Sequence, residues 1–125
     1  MADRLFHYTT ADFARECEAD LDAGRPVFVE VWDGLYGPGF YALDIGFDDA
    51  SRDELRWECF GDARPDHPMD GVLAIDPGLA DSPFQLMDGH IWLMDALPGS
   101  PTSIDGMIVA VGVWEDGEWR VDELE

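Results

Sequence analysis

The chain has 125 residues, 46% of them hydrophobic, enough for one domain spanning residues 1–125 around a single core. Its 28 Asp and Glu against 7 Lys and Arg give a formal charge of −21, so phosphate backbones and anionic lipid should repel it. Direct nucleic-acid and membrane binding are therefore not expected.

The elements read in chain order as one α+β unit without internal repeats or linkers. Leu5 to Tyr8 is a short first strand. Thr9 or Thr10 caps a helix whose apolar positions Phe13, Cys17 and Leu21 recur every four residues, and Gly24 followed by Pro26 stops it. Pro26 to Trp32 is rich in β-branched and aromatic residues and predicts a strand. Turn residues Asp33-Gly34 and Gly37-Pro38-Gly39 lead into another strand from Phe40 to Ile45.

Ser51 with Glu54 three residues later is a capping-box signature for a second short helix. Leu55, Cys59 and Trp57 or Phe60 supply its apolar side, and it ends near Gly61. Strands follow at Gly71 to Ile75, His90 to Met94 and Met107 to Glu115, the last turning through Asp116-Gly117 into Glu118 to Val121 as a hairpin. Met107 to Val113 is apolar at nearly every position, which predicts a central strand covered on both faces. Pro77 to Pro101 carries four prolines and reads as an irregular connection, the kind of segment that often holds binding groups.

No run approaches the roughly eighteen apolar residues of a membrane span, and Met1-Ala2-Asp3-Arg4 does not open a signal pattern, so a cytoplasmic location is expected. Cys17 and Cys59 fall in the predicted helices at core-facing positions and read as buried free thiols. His7, His67 and His90 lack metal-ligand spacing, so no metal site is expected. All seven cations are Arg, and neither Lys nor Asn occurs. That bias fits a GC-rich genome and carries no message about activity.

Several chemistries drop out. No Gly-x-Ser-x-Gly elbow is present, and the cysteines read as buried, which argues against a Ser or Cys hydrolase. A phosphate-binding P-loop needs a lysine this chain does not possess. With 28 acids in 125 residues, proximity of two carboxylates carries no weight. What remains is a histidine at a strand end and a tyrosine on another strand, groups able to grip a flat ring and ribose hydroxyls.

Two stretches, Leu5-Phe6-His7-Tyr8-Thr9-Thr10 and Gly37-Pro38-Gly39-Phe40-Tyr41-Ala42-Leu43-Asp44, resemble the His-Tyr-Asp class of small ADP-ribosyltransferase domains. Further on, Ala74 to Pro83, Leu97 to Thr102 and Ile108 to Gly112 look similar to the C-terminal half of the rifamycin-inactivating ADP-ribosyltransferases. The resemblance implies a diphtheria-toxin-like α+β fold, with split mixed and antiparallel sheets, two short helices and NAD as co-substrate in a cleft.

Nicotinamide would leave and ADP-ribose would pass to an unidentified acceptor. On this resemblance His7 would bond the NAD ribose and Tyr41 would stack on nicotinamide, with Tyr8, Thr9 and Gly39 beside the cofactor. Asp81 would stabilise the cationic ribose, with Asp76 or Asp105 as substitutes, since cleavage of the nicotinamide bond develops oxocarbenium character. Two departures stand out: His7-Tyr8-Thr9 replaces the His-Gly-Thr of the rifamycin enzymes, and few cations lie near the proposed cleft to meet a pyrophosphate.

A reading from another class competes with it: an acidic binding protein of the immunity type that caps a basic toxin or nuclease through its carboxylates. Trp32, Trp114 and Trp119, expected to be exposed, fit that reading. It makes no use of His7 or Tyr41.

Overall fold

The computed structural model describes residues 4–30, 32–34, 37–46, 51–60, 68–80, 83–95 and 101–124. The chain order is β1 (Leu5–Thr9), α1 (Ala11–Asp22), β2 (Phe28–Glu30), β3 (Trp32–Gly34), β4 (Gly37–Leu43), α2 (Arg52–Phe60), β5 (Gly71–Ile75), β6 (Phe84–Asp88), β7 (Ile91–Asp95), β8 (Pro101–Ser103), β9 (Ile108–Glu115) and β10 (Glu118–Glu123). The main sheet runs β10-β9-β5-β1-β4-β7-β6, with β3 paired to β4, and β2 with β8 forms a separate two-stranded sheet. Every ladder is antiparallel. The expected α+β class with two short helices is present.

Each helix covers one face of the main sheet. Side chains alternate across a strand, and the two apolar clusters sort by that alternation. Leu5, Phe40, Ala42, Leu73 and Ile75 pack with Ala14 and Cys17 of α1. Tyr8, Leu43 and Val72 pack with Leu55 of α2.

Local signals account for the start of α1. Thr10 Oγ1 accepts from the Phe13 amide at 3.2 Å, and the Asp70 carboxylate accepts from the Ala11 amide at 2.8 Å, so two orphan donors of the first turn are satisfied. Gly24, at φ +73, ends the helix region as its sequence position suggests. At α2, Ser51 Oγ accepts from the Glu54 amide at 3.2 Å.

Several expectations are corrected. The single strand expected at Pro26 to Trp32 divides between β2 and β3, which belong to different sheets, and the expected turn residues Asp33-Gly34 and Gly37-Pro38-Gly39 lie within β3 and β4. The strand at Met107 to Val113 was expected at the centre, yet β9 is second from the edge and β1 is the middle strand. The strand buried at all five positions is β5, because it lies between β1 and β9 and beneath α1. The stretch from Pro77 to Pro101 is not irregular throughout: it contains the whole β6–β7 hairpin, with Phe84 paired to Met94 and Leu86 to Trp92. Trp114 and Trp119 are half-buried, because their rings pack edge to face at 5.5 Å and Trp119 leans on Tyr8 at 6.2 Å. The Trp32 side chain lies outside the described residues.

Among the described residues no helix is long and apolar enough to cross a membrane.

Candidate functional site

His7 sits in β1 beside the point where the β1–β4 ladder is recorded at a single pair, Phe6 with Leu43. Its ring stacks on Phe40 at 4.4 Å, and Nδ1 donates to the Tyr41 carbonyl at 2.8 Å. A carbonyl can only accept, so Nδ1 carries the proton. Burial outweighs that bond and holds the imidazole below its ordinary pKa, so it is neutral.

Tyr41 takes part through its backbone. Its neighbours Phe40 and Ala42 both belong to the cluster under α1, so alternation turns the Tyr41 side chain to the α2 face, opposite His7. The two groups are joined by a backbone carbonyl while their side chains diverge.

The other residues of the expected NAD site have structural occupations. Tyr8 is 4% exposed and its hydroxyl donates to the Ile45 carbonyl at 2.7 Å. Thr9 pairs with Gly71 in the β1–β5 ladder. Gly39 pairs with Asp95, and a side chain there would run into Leu93 and the Met94 carbonyl. Asp76 accepts from the Gly78 amide at 2.9 Å and caps a 3-10 turn at Pro77–Leu79. Asp105 accepts from the Ser103 hydroxyl at 2.5 Å and the Val27 amide at 3.4 Å; chiefly the hydroxyl bond holds its carboxyl below the usual range. Asp81 and His67 lie outside the described residues.

Cys17 is a free, buried thiol, pushed up to about 12 by burial first and then by the charges of Asp20 and Glu16. It is therefore no nucleophile. The Cys59 side chain lies outside the described residues. Among the described residues no three His, Cys, Asp or Glu side chains are grouped to hold a metal ion.

A different constellation is assembled where β4 ends and the β6–β7 hairpin turns. Asp44 Oδ1 accepts from His90 Nδ1 at 2.7 Å, and Oδ2 accepts from the Trp92 indole N–H at 2.9 Å. Both carboxylate oxygens are thus committed, and His90 is oriented with Nδ1 inward and Nε2 away from Asp44. The pair borders an open cleft of about 660 Å³ lined also by Ile45 and, from α2, Asp53, Glu54, Trp57 and Glu58. Trp57 is 59% exposed there.

The described arginines are engaged within the chain, one of them at the cleft itself. Arg4 bridges Glu123 at 2.8 Å, Arg15 pairs with Glu115, Arg25 bridges Asp20 at 2.9 Å and Arg120 bridges Asp116 at 3.3 Å. Arg52 bonds the Met69 and Pro68 carbonyls and lies over the Trp114 ring at 4.8 Å. Arg56, on α2 itself, bridges Asp53 at 2.9 Å. All six described arginines are engaged within the chain.

The sequence reading passed over Asp44, His90 and Trp92 as a set. Asp44 and His90 are 46 residues apart, and only the ladder in which Leu43 faces Ile91 brings them together. Comparison with protein-family models, with curated proteins and with solved structures finds no match.

Proposed function

We propose that the protein is an acidic binding module that engages a basic partner protein through the cleft between α2 and the Asp44–His90 pair. The observation that carries this reading is the cleft's chemistry. Glu54, Glu58 and an exposed indole border open space beside Asp53, which Arg56 bridges, and Asp44, which His90 and Trp92 hold, while every described arginine already has an intramolecular partner. A chain of net charge −21 would draw a cationic partner in by long-range attraction and so raise the association rate.

The test separates the cleft from the overall charge. Association with a polyarginine-coated surface is followed at low and high salt for two triple variants of equal net charge. One is Asp53→Asn/Glu54→Gln/Glu58→Gln in the cleft; the other is Asp12→Asn/Glu16→Gln/Asp22→Asn on α1, on the opposite face. The cleft variant should associate the more slowly of the two. Equal rates would overturn the assignment of the cleft.

The ADP-ribosyltransferase-like reading needs His7 and Tyr41 to meet at one NAD surface, and their side chains leave opposite faces of the sheet. The described arginines also leave no uncommitted cation for a pyrophosphate. Geometry therefore favours the binding module over NAD-dependent transfer. Calorimetric titration with NAD, with His7→Ala and Tyr41→Ala alongside, decides between the two: binding that both substitutions abolish would reinstate the transferase.

A further inference from the structure

We infer that the partner group read by this cleft is an arginine side chain, stacked on Trp57 and hydrogen-bonded by the acceptors around it. The inference rests on the binding-module reading and specifies its chemistry. Trp57 stands 59% exposed on a helix that buries Leu55 completely. An exposed indole beside carboxylates suits a cation that can lie flat on its face, and guanidinium does so better than ammonium because it is planar and more weakly hydrated. The molecule already contains this arrangement once, with Arg52 over the Trp114 ring at 4.8 Å.

The acceptors match a guanidinium as well. Glu54 and Glu58 are spaced i,i+4 on α2, where like charges oppose each other unless a cation lies between them. Across the cleft, His90 meets Asp44 through Nδ1 at 2.7 Å, which turns Nε2 away from that carboxylate; in the tautomer that donates from Nδ1, Nε2 can accept an N–H. Five donors arrayed in one plane can use the indole face, a carboxylate and an imidazole nitrogen together; a lysine ammonium has three donors and no flat face. The Asp44 carboxylate, with both oxygens held by His90 and Trp92, acts as a positioning group for the imidazole.

Two acetylated peptides of equal charge, one bearing arginine and the other lysine, are titrated into the full chain and followed by calorimetry. The arginine peptide should bind about fivefold more tightly, the size expected of one partly exposed cation–π contact. Trp57→Ala should remove the preference and Trp57→Phe should keep part of it. Glu58→Gln should weaken both peptides. Equal affinities, or a preference that survives Trp57→Ala, would overturn the arginine assignment and leave the binding module standing. Failure of both peptides to bind at millimolar concentration would remove the cleft as a cation site, and the inference with it. Because Trp57 is exposed, its replacement leaves the core intact, and thermal unfolding of the variants verifies this.

Discussion

Burial of His7 makes a prediction with a definite sign. The folded chain favours the neutral imidazole, so as pH falls the unfolded chain takes up the proton first. The stability contributed by His7 is complete above the ordinary imidazole pKa of about 6.5 and is lost as pH falls through the lowered folded value. Thermal unfolding from pH 8 to pH 5 should show the advantage of the native chain over His7→Gln shrinking below that point. A gap that stays constant across the range would mean that His7 titrates alike in both states. The sequence suggested a histidine at a strand end and a tyrosine on another strand; His7 is instead the middle residue of β1, and the two meet through a carbonyl. Which face a strand residue takes depends on register, and register is a property of the neighbouring strand.

At the scale of elements, the junction of α1 with β5 holds the tightest of the described glycines. A Cβ at Gly71 would collide with the Thr10 carbonyl, part of the backbone that opens α1. Backbone cannot swing aside as a flexible side chain can, so Gly71→Ala should destabilise the fold by about 3 kcal/mol, the upper end of ordinary overpacking. Denaturant titration measures it; a loss under about 1 kcal/mol would show that the junction can relax. Loss of one capping group alone, as in Thr10→Ala, should cost about 1 kcal/mol in the same assay.

Both helices were legible from capping residues and apolar spacing, which are local signals, although Trp57, offered for the apolar side of α2, is exposed while Leu55 is buried. The strand β6 was not, because prolines surround it and its Leu86 side chain is 54% exposed. Its strand character comes from pairing with β7. The same applies to β9, whose apolar run suggested the centre of the sheet although the order of pairing gives that place to β1.

For the whole molecule the governing quantity is charge. With 28 acids against 7 arginines, like charges crowd the surface faster than ion pairs can offset them, and the pairs that exist are largely exposed and individually weak. Self-repulsion should therefore dominate the salt response: added NaCl, up to about 0.5 M, should raise Tm as the screening length shortens. A fall in Tm over that range would mean that the ion pairs contribute more to stability than the net charge removes.

Composition determined this acidic character and the absence of a P-loop lysine, and local periodicity with capping and turn residues the α+β class, because none of these needs knowledge of what lies nearby in space. Only the tertiary structure decided which groups form a site. It turned His7 and Tyr41 to opposite faces, placed Tyr8 in the core and joined Asp44 to His90 and Trp92 beside an exposed Trp57. Those juxtapositions arise from long-range antiparallel pairing, in which a shift of one residue exchanges the two faces of a strand.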